Sequence, residues 1–529
     1  MSKEFCETQT QKTQPLSAKY GILSMETSTT YIRRPPKGLR KNIVAHIQAK
    51  HHNMAKFFND ILMSFRPCFS RNATFEWFVI IVTGLLVRTD HLGVTSIIRG
   101  LFLSADYMGL IGFFRSSAWT LGSLTAKWCA LVKQNAPLVR YGDAVVMIGD
   151  GVKKSKEGRR MPGVKRHHQE SNNSSKAGYM WGHLFGSVGI LAEKTGKSFC
   201  LPLALMLQDG VKNIFGWDEP AQRQGSHVVE MIKLANRMAM HFGKTILLLD
   251  RLYLSVPALR TMEELNAKGH FMHIVTKAKR NCVAYQLPVA TPGKRGRPRK
   301  KGATVRPFKL FETEPDRFDT AEIRLYGKLE KVRYCSMDLL WGQKMYKMLR
   351  FVLVEYNHTW AVLVSTDLAM NPLDIVQLYG KRFGIEVMFR EMKQVICAFG
   401  YRFWSKHMPK LNRFQKKNDP DPVKQVVKKQ AQQRIKLTIK AIEGFMFCSI
   451  VSAGLLQIAA LRFSATDELA NLRYLRTCRN SIASEATVAD FLQKNFISLL
   501  QRTPDLTLNQ IISAKQRPNP DTDCWDDTA

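Results

Sequence analysis

Ala144-Val-Val-Met-Ile-Gly-Asp150 is the stretch on which the fold turns. A short unbroken apolar run has the pattern of a strand buried on both faces. It stops at an aspartate. Thr245-Ile-Leu-Leu-Leu-Asp250 repeats the device about a hundred residues later. Between the two lie further strand-like runs, His183–Leu191 and Phe199–Leu207, and an amphipathic helical stretch from Glu219 to Phe242. A helix to Ala267 and a strand at Phe271–Val275 follow. Strands Leu349–Glu355 and Trp360–Ser365 resume the series after an interruption.

Three strands, a helix and then more strands predict an α/β fold with an RNase H-like mixed sheet flanked by helices. Short alternating runs such as Ile323-Arg-Leu-Tyr326 and Lys331-Val-Arg-Tyr334 mark a β-rich insertion. The expected organisation has six parts. A basic flexible tail covers 1–40, and an N-terminal helical domain suited to DNA binding covers 41–140. The first part of the catalytic domain covers 141–276, and the β-rich insertion 277–350. The second catalytic part, with a lysine-rich arm near 405–436, covers 351–465. A small C-terminal helical region with an acidic tail covers 466–529.

Composition bounds the function. Lysine and arginine number 79 against 43 acids, a formal charge of +36. Such an excess implies a polyanionic partner, most simply nucleic acid. Ten cysteines are scattered without a CxxC pair or zinc-type spacing, which fits free thiols in a reducing compartment. Met1-Ser-Lys-Glu-Phe-Cys6 lacks the apolar stretch of a secretory signal. Gly444–Leu461 is uncharged and just long enough to span a bilayer. It contains Ser449, Ser452 and Gln457, so a buried core helix is the expectation and no membrane partner is assigned.

Leu378-Tyr-Gly-Lys-Arg-Phe-Gly-Ile-Glu-Val-Met-Phe-Arg-Glu-Met-Lys393 has helical periodicity, and Asn371-Pro372 is suited to start the helix. At about 100° per residue, Arg382, Glu386 and Lys393 fall within roughly 60° of Tyr379. Ile385, Met388 and Met392 face the other way, toward a core. A phenol, a guanidinium, a carboxylate and an ammonium on one stripe suit a metal ion and a phosphodiester; a solvated face with i,i+4 pairing fits the segment equally well. Asp150 and Asp250 at strand ends change that balance. Two-metal phosphoryl transfer needs a few carboxylates converging on two divalent ions. Asp150, Asp250 and Glu386 are therefore the candidate catalytic and metal-binding residues. Glu391 falls off the stripe, Asp143 starts its strand, and Asp209 and Asp338 have the look of turn residues.

The spacing Tyr379-x2-Arg382-x3-Glu386-x6-Lys393 resembles the YREK signature of DDE transposases encoded by cut-and-paste bacterial insertion sequences. Glu157-Gly-Arg-Arg-Met-Pro-Gly-Val164, Leu363-Val-Ser-Thr-Asp-Leu368 and Tyr401-Arg-Phe-Trp-Ser-Lys406 are similar to segments of such enzymes, and Asp250-Arg-Leu-Tyr253 matches the setting of their second aspartate. The resemblance spans about residues 60–460. It implies that Glu386 is the third metal ligand and that Tyr379, Arg382 and Lys393 contact phosphates of the transposon end. It implies Mg²⁺, with Mn²⁺ as a substitute. The partners implied are double-stranded DNA, as inverted repeats and target, and a second copy of the chain in the synaptic complex. A prokaryotic cytoplasmic, nucleoid-associated location is implied too. Family members hold a flipped base on a tryptophan of the insertion. Trp341 is the one tryptophan between Asp250 and Trp360, and a core aromatic is the competing reading.

Gly293-Lys-Arg-Gly-Arg-Pro-Arg-Lys-Lys301 resembles an AT-hook core, which would put Arg295 and Arg297 into a narrow minor groove. A flexible loop touching phosphates is the plainer alternative. His167-His168 is an adjacent pair without the alternating spacing of a nicking enzyme. The competing function is a DNA-binding protein derived from a transposase and catalytically inactive.

Overall fold

A computed structural model of the chain describes residues 53–90, 93–104, 106–169, 175, 177–289, 299–414, 420–464 and 482–516. All of these fall in one unit, Ala49–Ala529. The basic tail, the acidic tail, Arg295 and Arg297 lie outside the described residues.

The sheet grows from the two runs that end in aspartate. The first strands are β1 (Arg140–Tyr141), β2 (Ala144–Ser155), β3 (Lys165–His168), β4 (Tyr179–Lys194) and β5 (Lys197–Leu207). Then come β6 (Thr245–Leu249) and β7 (Met272–Lys277). β2, β6 and β7 pair in parallel, and β4 lies antiparallel on the other side of β2. Val145–Ile148 and Ile246–Leu249 are all buried, as continuous apolar runs require in a sheet covered on both faces. The Cβ of any larger residue at Gly149 would lie 2.8 Å from the Leu249 side chain, so glycine permits the close packing beside Asp150.

The segment expected to interrupt the fold instead extends the same sheet. β8 (Ala284–Tyr285), β9 (Thr304–Val305), β10 (Asp319–Leu325), β11 (Lys328–Trp341), β12 (Lys347–Tyr356) and β13 (Thr359–Ser365) join it. The main path is β3-β4-β2-β6-β7-β13-β12-β11-β8-β9, and β13 docks antiparallel on β7. Asp338, expected in a turn, sits inside β11 and pairs with Arg350 of β12. Its carboxylate is stabilised across strands, a pairing that only the sheet register reveals.

Helices cover the sheet. α1 (53–63), α2 (Asn72–Val87), α3 (Ser96–Gly100), α4 (Tyr107–Arg115) and α5 (Leu121–Asn135) precede it. α6 (Lys212–Phe215), α7 (His227–Ala239), α8 (Val256–Asn266) and α9 (Leu310–Thr313) connect strands. Ser226 caps α7 by accepting from Val229 N–H, and Ser255 caps α8 in the same way at Ala258. α10 (Pro372–Gly380) and α11 (Gly384–Gln394) carry the predicted stripe. α12 (Lys429–Phe463), α13 (Glu485–Arg502) and α14 (Thr507–Ser513) are the last helices of the described residues.

α12 is the spine of the molecule. Residues Ala441–Leu461 are buried without interruption, which makes the apolar run a core helix in this structure. It packs against β5 on one side and against α2, α4, α5 and α13 on others. At Gly454 a Cβ would run into the indole of Trp128 on α5, so the two helices approach backbone to ring. Arg223 reaches Glu443 of α12 with both guanidinium nitrogens, at 2.5 and 3.0 Å, and the same carboxylate accepts from Leu207 N–H.

Candidate active site

The parallel register places the two aspartates together. Gly149 of β2 pairs with Leu249 of β6, so Asp150 and Asp250 are each the next residue along. Neighbouring strands lie about 4.8 Å apart and alternate residues share a face, so the two carboxylates leave the sheet side by side. β2 does not stop at Asp150, as the sequence predicted, but runs on to Ser155. β4 holds its other edge there, pairing Asp150 with Ser187 and Ser155 with Gly182. β6 has no such continuation and turns into a single 3₁₀ turn, Arg251–Tyr253.

The stripe helix differs from a continuous α-helix. A 3₁₀ turn at Lys381–Phe383 separates α10 from α11, between Gly380 and Gly384. Two glycines and the tighter winding there relax the regular 100° step. The stripe nevertheless survives in its central part. Arg382 donates from Nη1 to Asp150 Oδ2 at 3.1 Å and from Nη2 to Glu386 Oε1 at 2.8 Å. Ile385, Met388 and Met392 are buried beneath, as expected.

Charge couples these groups. Burial raises the Asp150 carboxyl above its ordinary value, and Asp250 adds to the rise, against the pull of Arg382 and the Gly151 N–H. Burial lowers the Arg382 guanidinium, but Tyr379, Asp150, Asp250 and Glu386 outweigh it and hold it above the usual range. Burial raises the Tyr379 phenol, with Asp250 and Asp150 reinforcing the shift. Tyr379, Arg382, Glu386, Asp150 and Asp250 therefore form one electrostatic cluster. Lys393 stands apart from it. Partial burial and the neighbouring Lys154 hold its ammonium below the usual value.

The remaining candidates separate more widely. Trp341 ends β11, half-buried and packed on the core, with a hydrogen bond to Cys282. Glu391 pairs with Arg390 at 2.7 Å, off the cluster, and Asp143 pairs with Lys244 at 2.8 Å. Asp209 sits in the turn after β5, next to Lys165 and His167.

Two further residues belong to the cluster: Tyr253, quoted with Asp250 but given no role, and Lys277, which the sequence did not single out. Tyr253 is buried, and its phenol is raised by burial and by Asp150 and Asp250. Lys277 ends β7, the strand next to β6; burial lowers its ammonium while Asp250 pulls it up. A lysine closing the strand beside the second aspartate is the signal, visible only with the strand order in hand.

An all-oxygen set of carboxylates suits a hard divalent ion such as Mg²⁺ or Mn²⁺. Burial, with a smaller contribution from Asp250, raises the Asp150 carboxyl, and a cation bound there would favour its charged form. Among the described residues no three His, Cys, Asp or Glu side chains already enclose an ion-sized space. Arg382 lies between Asp150 and Glu386 and serves as their counter-charge. The donor chemistry fits an ion once that guanidinium moves aside.

A family model described as DDE superfamily endonuclease matches residues 64–334. That span includes Asp150 and Asp250 and ends before Glu386. No curated protein and no solved structure matches the chain.

Proposed function

The chain belongs to the DDE superfamily of endonucleases, and on that premise we propose that it is an insertion-sequence transposase of the YREK type. It binds the terminal inverted repeats of its element, cleaves their ends and joins the 3′-hydroxyls to target DNA by cut and paste. The observation that carries this reading is the gathering of Asp150, Asp250 and Glu386 around Arg382 at the end of the parallel β2–β6 pair.

In this reading Asp150, Asp250 and Glu386 hold Mg²⁺ or Mn²⁺. Bound there, such ions supply an activated water or 3′-hydroxyl and stabilise the leaving oxygen. The chain's own residues do the rest. β2 and β6 fix the two aspartates at one strand spacing, while α11 delivers Glu386 from outside the sheet. Tyr379 and Arg382 orient the scissile phosphate, and Lys393 with Lys154 holds the strand beyond it. The N-terminal helices bind the repeat, and two copies of the chain synapse two ends. Arg295 and Arg297 add contacts in the minor groove. Trp341, packed and hydrogen-bonded, is better suited to the core than to a flipped base.

The test is cleavage of labelled inverted-repeat DNA in Mg²⁺, resolved on a denaturing gel. Glu386→Gln should abolish cleavage while sparing DNA binding, and Glu391→Gln should leave both nearly intact. Cleavage by Glu386→Gln at the wild-type rate would remove Glu386 from the site. A chain inactive on every end tested would be the DNA-binding derivative.

A further inference from the structure

Residues 401–405 follow α11 without regular secondary structure, Lys406 opens a turn closed by Met408 N–H on Ser405 O, and burial alternates along the stretch. Tyr401, Phe403 and Ser405 are buried; Arg402, Trp404 and Lys406 point outward. Trp404 is 58% exposed, unusual for the largest apolar side chain. Arg402 and Trp404 form the shared wall of two clefts of about 750 and 690 Å³. Arg159 and Lys410 line the first, and Arg115, Lys406 and Arg434 the second. Glu157 is the one acid among the described lining residues. Arg402 and Lys406 make no ion pair among the described residues.

The backbone beneath is fixed. Tyr401 stacks on His183 and on Phe403, both at 14° between ring planes. Lys156 caps the Tyr401 ring at 3.6 Å and donates to the carbonyls of Phe399 and Tyr401, so its ammonium is committed to the fold. Ser405 N–H donates to Arg160 O, and Arg160 Nη1 donates back to the carbonyls of Lys406 and Met408. A rigid ledge therefore presents a cation, an indole and a cation in a row.

The alternation of buried and exposed residues has the period of an extended chain, in which alternate residues stand up to about 6.6 Å apart. That is about twice the 3.4 Å rise between stacked bases. A strand with one base on the Trp404 face and phosphates on Arg402 and Lys406 must be unstacked. The internal base pairs of a duplex have no free base face to offer. The position also fits. β2 runs from Asp150 to Ser155, which borders the first cleft, a distance of about 17 Å at strand rise. Lys154, beside Lys393, lies between.

We propose that the Arg402-Phe-Trp404-Ser-Lys406 ledge binds an unpaired stretch of DNA next to the cleavage site, with one base stacked on Trp404. It rests on the reading of the chain as an enzyme acting on DNA ends.

The experiment measures fluorescence anisotropy of a labelled mixed-sequence single strand with the full-length protein in EDTA, so cleavage plays no part. A blunt duplex of the same sequence is measured in parallel. Trp404→Ala should weaken single-strand binding about 5- to 100-fold, the value of one base on an indole, and leave duplex binding unchanged. Trp404→Phe should retain most of it. Arg402→Gln and Lys406→Gln should each lower the salt slope of single-strand binding by about 0.7. Single-strand affinity of Trp404→Ala equal to wild type would overturn the proposal, and so would an equal loss for duplex. Binding is read in EDTA, without the metal site, so a failed cleavage assay speaks to that site and not to this ledge.

Discussion

Arg382 holds together the carboxylates that an ion would need, and replacing it should strengthen metal binding. Its two hydrogen bonds differ in shelter. Arg382 and Asp150 are 16% and 24% exposed, whereas Glu386 is 45% exposed. A sheltered charge-assisted hydrogen bond contributes about 1.5 kcal/mol net or somewhat more. The half-exposed arm to Glu386 is screened and contributes about 0.5 kcal/mol. Together they come to about 2 kcal/mol, which any ion must overcome to use the same lone pairs. In DNA-free protein, Arg382→Gln should therefore tighten Mn²⁺ binding about 30-fold. Titration calorimetry on the full-length protein without DNA measures this directly. Arg382→Gln/Asp150→Asn should lose the gain, which places the ion at that carboxylate. Affinity for inverted-repeat DNA should fall in Arg382→Gln, because the same guanidinium is the proposed phosphate contact. Unchanged or weaker Mn²⁺ binding in Arg382→Gln would refute the reasoning.

Four further outcomes follow from the packing. His183 is neutral in the fold: its Nε2–H donates to Pro162 O and its Nδ1 accepts from the Tyr401 hydroxyl. Burial, with Lys156 nearby, holds its pKa down to about 3, against about 6.5 when unfolded. The unfolded chain takes up the proton first, so this stability is complete above about pH 6.5 and is lost as pH falls toward 3. Between pH 7 and 4 the stability of His183→Gln, measured by urea denaturation, should therefore fall less steeply than that of wild type. One proton limits the difference to about 1.4 kcal/mol for each step of one in pH; an identical slope would count against it. Glu443→Ala strands the Arg223 guanidinium and should cost about 3–5 kcal/mol in chemical denaturation. Gly454→Ala drives a methyl into Trp128 and should cost about 1–3 kcal/mol. Gly122→Ala, with open space around it in α5, should be neutral or slightly stabilising by the same measurement.

Much of the site was legible because its parts are local. The apolar runs before Asp150 and Asp250 announce strands without reference to anything distant. Glu386 and Arg382 declare a shared helix face by spacing alone. What the sequence hid is set by pairing between remote segments. β2 outlasts Asp150 only because β4 lies along it, and Asp338 is held in β11 by Arg350 across the ladder. Lys277 joins the cluster through strand order, which no local pattern encodes, whereas Tyr253 follows Asp250 by one short turn. The 3₁₀ turn at Lys381–Phe383 lies between two glycines, but helix periodicity smooths over a three-residue break. The alternation at 401–406 was readable as a period of two, yet without the clefts on either side it gave no hint of a use.

The spine helix has a consequence for how the chain is made. α2 is buried along nearly its whole length, and much of its cover comes from α12. α12 leaves the ribosome roughly 340 residues after α2, a delay of about 17–70 s at ordinary rates of synthesis. Throughout that interval the N-terminal helices expose an apolar surface that has no partner yet. Products truncated before residue 429 lack the segment on which α2, α4, α5 and β5 converge. Such fragments should be prone to aggregation or degradation, so only completed chains should supply folded enzyme.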